Sequence, residues 1–246
     1  MSRASKSKIK FGTDGWRGII ADDFTFLNVG KVTRAIATYL ETTYAKERPV
    51  LVAYDTRFLA DQFAYSAAEV LADLGWTVKI TDRYCPTPVI AYNARFLNSA
   101  GALMFTASHN PPPYCGIKYI PDYAGPATPK ITDTIVANLE TSSNTAPIGK
   151  HGDRIAKFDP KPEYLKFLYS LLDINAIRRA GLKVKFDALY STSFGYLDQV
   201  LNYCGCDTET FHTNRDVLFG GGMPEPKGEQ LVKLIEAVKK DHADLG

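Results

Sequence analysis

Three consecutive prolines, Pro111, Pro112 and Pro113, constrain this chain more than any other residues in it. Each lacks a backbone donor and holds φ near one value, so neither a helix nor a central strand continues through them. Ahead of them runs Gly101-Ala102-Leu103-Met104-Phe105, a short apolar stretch that suits a buried strand, although periodicity alone leaves a helical segment open. After them, Ile117-Lys118-Tyr119-Ile120 reads as a second short strand. Thr106-Ala107-Ser108-His109-Asn110 is therefore held on a stiff loop where a buried strand ends. In open α/β sheets, ligands bind at such ends. The ammonium group of Lys118, ten positions after Ser108, can return to the same place.

On residue type alone, serine and asparagine before prolines also read as ordinary turn residues bonding nearby backbone. A Ser–His hydrolase pair is poorly supported. Adjacent residues on an extended chain point to opposite sides, which places His109 badly for deprotonating Ser108. The chain also lacks the G-x-S-x-G pattern of a nucleophile elbow.

The rest of the chain alternates strands with helices. Ile9-Lys10-Phe11 is a short strand candidate leading into the loop Gly12-Thr13-Asp14-Gly15-Trp16-Arg17-Gly18. Its glycines allow tight turning or close approach to a ligand, and Arg17 offers a planar fork for phosphate; a surface turn with a solvated arginine is the plain alternative. Leu27 to Tyr44 reads as a helix, Val50 to Tyr54 as a buried strand, Ala60 to Leu74 as a helix closed by Gly75, and Trp76 to Ile80 as a strand. At the end of the Val50 strand, Asp55 and Arg57 read as a short-range pair ordering their loop. Thr87 caps a helix that starts with Pro88, and Thr128 another that starts with Pro129. Thr141 to Lys150 is polar and aperiodic, the best domain boundary, with His151 read as solvated. Then come a helix over Pro162 to Ile177, a strand over Leu182 to Phe186, a helix over residues 194 to 203, a strand over Thr208 to His212, and a helix from Glu229 to Lys240. Gly220-Gly221-Gly222-Met223-Pro224-Glu225-Pro226 lacks the Gly-Lys-Ser/Thr ending of a P-loop and is read as structural. The order predicts layered α/β/α domains with mixed, largely parallel sheets: one over 8–145, a second over 155–246 that is incomplete.

Two motifs carry a family resemblance. Thr106-Ala107-Ser108-His109-Asn110-Pro111 followed by Gly116-Ile117-Lys118 resembles the phosphoserine loop of the α-D-phosphohexomutases, with Cys115 where that family usually has asparagine. Phe11-Gly12-Thr13-Asp14-Gly15 with Arg17-Gly18 resembles the same family's N-terminal motif, in the same order along the chain. Ala53-Tyr54-Asp55-Thr56-Arg57 is similar to a third element, with Ala53 in place of that family's glycine. The resemblance implies a phosphoryl group carried on Ser108, Lys118 as acid or base, Arg17 on substrate phosphate and His109 orienting the loop or a sugar hydroxyl. It implies Mg²⁺ on the phosphate oxygens of Ser108, hexose 1,6-bisphosphate as intermediate and activator, and a hexose phosphate substrate. The Trp16-Arg17 form leans to glucose; mannose and glucosamine phosphates are the alternatives. Asp187-Ala188-Leu189-Tyr190-Ser191 departs from the family's glycine-containing turn, and Asp187 is given no role. The family's Asp-Gly-Asp-x-Asp-Arg metal loop is not in this sequence, and two further domains are expected after it. The 246 residues alone are accordingly expected to be inactive. A non-catalytic sugar-phosphate-binding or regulatory module is the alternative of a different class.

Composition excludes other classes. Against 29 basic residues stand 27 acidic ones, so no basic field favours nucleic acid or membrane. No apolar run approaches the ~20 residues of a spanning helix, and the basic first ten residues lack the apolar core of a secretory signal. Cys85, Cys115, Cys204 and Cys206 lack zinc-ligand spacing and read as reduced thiols of a cytoplasmic protein.

Overall fold

A computed structural model describes residues 9–13, 15–142, 149 and 152–246. Its first sheet has six strands. In chain order these are β1 (Trp16–Ile19), β2 (Val50–Tyr54), β3 (Val78–Thr81), β4 (Gly101–Phe105), β5 (Tyr114–Ile120) and β6 (Ile155–Phe158). In space they run β1-β5-β4-β2-β3-β6. β2, β3, β4 and β6 are parallel, and β5 is antiparallel to both β1 and β4. Helices α1 (Phe26–Glu41), α2 (Ala60–Asp73), α3 (Thr87–Phe96) and α4 (Pro129–Thr141) cover the sheet.

The strand period of two sends alternate side chains to two cores. Val50, Val52, Leu103 and Phe105 join one with α1, α2 and α4, while Leu51, Ala53, Ala102 and Met104 join the other with α3. Every residue of β2 and β4 is buried, as continuous apolar runs predict for parallel strands covered on both faces.

The second unit contains α5 (Lys161–Leu171), α6 (Ile174–Ala180), β7 (Lys183–Asp187), α7 (Leu197–Tyr203), β8 (Asp207–Phe211) and α8 (Val232–Asp241). β7 and β8 are parallel, and Leu245 bridges to Val184 in parallel, with its carbonyl accepting from Lys185 N at 3.0 Å. Leu245 thus lies against β7 on the side away from β8. The α3-side core runs on through Leu165, Val184, Tyr196 and Val200, so the two units share apolar packing.

Several local expectations give way. Ile9 to Phe11 is not a strand: Gly12 and Gly15 exchange backbone bonds of 2.8 and 2.9 Å, and pairing begins only at Trp16. Arg17 consequently sits on β1 rather than on a loop; Asp14 lies outside the described residues. Residues 155–158, counted by sequence with the second unit, pair with β3 and close the edge of the first sheet. The helix expected from Pro162 to Ile177 breaks at Leu172, which is extended, because the Asp173 carboxylate caps a new helix by accepting from Ala176 N. Pro86, not Thr87, is the N-cap of α3, and Thr128 caps α4 through its backbone carbonyl rather than its hydroxyl. The expected boundary and His151 fall largely outside the described residues.

Candidate active site

The loop after β4 is built around an uncommon backbone state. Ser108 has φ +54, in the left-handed region, which for a residue with a Cβ costs about 1–2 kcal/mol. Local bonds hold it there: Ser108 N donates to the Thr106 hydroxyl at 3.0 Å, and Asn110 N donates to Ala107 O at 3.0 Å. The turn also corrects the argument from an extended chain. It brings Ser108 Oγ within 3.4 Å of His109 Nδ1, a long contact for a hydrogen bond but the same side of the loop.

What holds the loop from beneath is Arg57. Its side chain is fully buried, and its guanidinium donates to four carbonyls of this one segment: Ser108 at 2.8 Å, Asn110 at 2.7 Å, Pro111 at 3.0 Å and Tyr114 at 2.9 Å. Asp55 completes the pair at 3.3 Å and accepts from Arg57 N at 2.9 Å. Burial pushes the Asp55 carboxyl up and the Arg57 guanidinium down, each opposed by attraction to the other. The sequence-level pair is thus present, and it is only half of what Arg57 does. Cys115, where asparagine was expected, is buried beside this pair; its thiol is pushed up by burial and makes only a long 3.9 Å contact with Gly116 O.

Register puts Arg17 and Lys118 on one face of the sheet. Arg17 pairs with Gly116 and Met104 with Lys118, and cross-strand partners share a face. Two glycines permit this approach: a Cβ on Gly15 (φ +81) would lie 2.1 Å from Ile117 O, and one on Gly116 would lie 2.5 Å from Thr106 O. From there Arg17 reaches the loop, donating to Asn110 Oδ1 at 2.7 Å. Lys118 is half-buried on the same face as Met104.

Ser108 and His109 open onto a cavity of about 420 Å³. Asp55, Thr87, Met104 and Thr106 complete its wall in the first unit, while Arg17 and Lys118 stand outside the wall. The opposite wall is Ser191, Thr192, Pro224, Glu225 and Pro226. The Pro-Glu-Pro segment, structural by its residue types, thus lines the cavity, as do Ser191 and Thr192, which carry no motif. The available signal was position: both follow the carboxyl end of a strand, as Ser108 does. Asp187, given no role, organises this wall by accepting from Leu189 N at 2.8 Å and pairing with His212 Nδ1 at 2.9 Å. Among the described residues, no group of three or more His, Cys, Asp or Glu is placed to hold a metal ion.

The arrangement offers a hydroxyl on a rigid support, an imidazole beside it, cations on the same sheet face and a polar open cavity. Comparison with known proteins agrees in both units. Residues 8–146 match phosphoglucomutase/phosphomannomutase alpha/beta/alpha domain I, and residues 162–246 match domain II. A phosphoglucosamine/phosphogalactosamine mutase of Sulfurisphaera tokodaii is 32% identical over 246 residues, covering 96% of this chain and 51% of that protein. A phosphoglucomutase of Staphylococcus aureus is 31% identical over 255 residues, covering 98% and 46%. A solved structure of a putative phosphomannomutase from Thermus thermophilus superposes with a TM-score of 0.86 at 31% identity, covering 94% of this chain and 52% of that one. The chain spans about half the length of these relatives. No helix among the described residues is long and apolar enough to cross a membrane. By sequence, fold and the disposition of its motifs, the chain belongs to the phosphoglucomutase/phosphomannomutase family and carries its domains I and II.

Proposed function

We propose that these two domains are the phosphoryl-carrying half of a phosphohexomutase that interconverts hexose 1-phosphate and hexose 6-phosphate, with glucose as the preferred sugar. The observation that carries this reading is Ser108: a strained serine, locked by a buried arginine, opening onto a polar cavity walled by both units. Phosphorylated Ser108 gives its phosphoryl group to a free hydroxyl of the hexose phosphate. The Ser108 Oγ–P bond breaks as the sugar O–P bond forms, and Lys118 takes the hydroxyl proton. The hexose 1,6-bisphosphate turns over, and the other phosphoryl group returns to Ser108 with the proton moving back. Such transfer depends on in-line positioning and on neutralising spread negative charge. Arg17, tied to the loop through Asn110, supplies positive charge on the sheet face beside it, and His109 orients the hydroxyl. Glucose is preferred on the Trp16-Arg17 form of the first motif; the relatives' names extend to glucosamine and galactosamine phosphates.

Mg²⁺ belongs to the proposal as the cofactor, since oxygen ligands and a phosphate suit it. The described residues fit it only through the phosphate on Ser108. Asp55 is engaged by Arg57, and among the described residues no group of three or more His, Cys, Asp or Glu is placed to hold the ion. No step is therefore assigned to the ion, and the isolated 246 residues are expected not to turn over.

The test is a coupled assay in the full-length polypeptide containing these domains: glucose 6-phosphate formation from glucose 1-phosphate, with mannose and glucosamine 1-phosphates as competitors. Activity lost in Ser108→Ala supports the reading. Tight hexose-phosphate binding without turnover in the wild type would instead make the protein a binding module.

A further inference from the structure

The loop that holds Ser108 is itself held from the other unit. Arg215, which follows β8, reaches across to the turn after β2. Its Nε donates to Thr56 O at 3.0 Å and one terminal nitrogen to Arg57 O at 3.0 Å, with the Asp61 carboxylate 3.8 Å away. Four residues on, the Phe219 ring lies 5.2 Å from the Arg57 guanidinium. Both contacts come from one tight turn. The Asp216 carboxylate accepts from Leu218 N and Gly220 N, each at 2.9 Å, and Gly220 (φ +67) leaves no room for a Cβ, which would sit 2.7 Å from the Tyr190 ring.

The chain of contacts is continuous. Arg215 grips the backbone of Arg57; the side chain of Arg57 grips the carbonyls of Ser108, Asn110, Pro111 and Tyr114. We propose that Arg215 is a positioning residue that couples docking of the second unit to the conformation of the Ser108 loop. The planar fork suits this task, because it spans two adjacent carbonyls at once, whereas an ammonium would meet them as a point charge. When the second unit moves away from the cavity, Arg57 loses its backbone anchor and its cover together, and the loop slackens. The consequence for phosphoryl transfer rests on Ser108 being the carrier. The coupling itself does not, so the experiment reads loop order rather than catalysis.

Hydrogen exchange on the 246-residue chain decides it, with the amides of Ser108, Asn110 and Tyr114 as reporters, since all three are bonded within the loop. In Arg215→Ala these amides should exchange about tenfold faster, the order expected from losing a charged hydrogen bond, with β2 and β4 unchanged. Arg215→Lys should fall between the two, and carries the same comparison should the alanine variant not fold. Leu234→Ala loosens the second unit at α8 but keeps the Arg215 contact, and should accelerate the reporters less than Arg215→Ala does. Wild-type exchange of the loop in both Arg215 variants would overturn the proposal. So would equal acceleration in Leu234→Ala, because the loop would then follow the general stability of the second unit.

Discussion

In the first unit the strands that position the serine are sealed on both faces, with Val50, Val52, Leu103 and Phe105 at 0% exposure. In the second unit the best-covered apolar strand residues, Val184 and Phe211, retain 6 and 8%, and α5 and α8 each bury a single residue, Leu165 and Leu234. The two walls of the cavity thus stand on unequal foundations. The group proposed to carry phosphate sits on a loop at the end of the fully buried β4, clamped by the buried Arg57. The facing wall sits on a thinner unit, and the latch at Arg215 couples the two. Local stability follows buried apolar contacts, so the second unit is the one expected to open first.

The largest test of this contrast is Arg57→Ala. It strips one partner from a buried ion pair and frees four carbonyls, and should cost about 3–5 kcal/mol, felt in the first unit. A loss under about 1 kcal/mol would mean that water replaces the guanidinium and that the loop is not clamped.

Core truncation comes next. Ile36→Ala, at a fully buried site of α1, should cost about 2–5 kcal/mol, while Leu234→Ala should stay near the bottom of that range. The protein supplies its own probes for telling the units apart. Both tryptophans, Trp16 and Trp76, are buried in the first unit. In urea, helical circular dichroism should begin to fall before tryptophan emission shifts, and Leu234→Ala should widen the gap. Coincident curves in both proteins would abolish the distinction between the units.

The smallest effect is alkaline. Burial pushes the phenols of Tyr44 and Tyr54 up to about 12, from an ordinary value of 10.0. A folded value above the unfolded one means stability that is whole below pH 10 and lost as pH rises toward 12. Phenolate absorbance should therefore rise late for these two in the native state. Titration at the ordinary value would show that this side of the first unit is wetter than its packing indicates.

The parts of this design that the sequence exposes are those written in neighbouring residues. The apolar runs at Val50 and Gly101 mark β2 and β4, and the prolines mark the loop. Long-range geometry is hidden. Arg57 reads as a partner of Asp55 two positions away, yet its main work is on carbonyls 51 to 57 positions downstream, and carbonyls have no signature in residue identity. β1 is obscured because Gly15 and Gly18, present for close approach, read as a loop. Ser191, Thr192 and Glu225 become a wall only when the second unit folds against the first. The family motifs point to Ser108 and Lys118 but not to Arg215, whose function depends on where its unit docks.

The central claim is that Ser108 alone carries the phosphoryl group. Its most direct test is peptide mass spectrometry of the full-length polypeptide after exposure to hexose 1,6-bisphosphate and Mg²⁺. The account predicts one stable phosphate, on the peptide containing Ser108, and none in Ser108→Ala, which should also be inactive. Phosphate on another residue, together with full activity in Ser108→Ala, would contradict it.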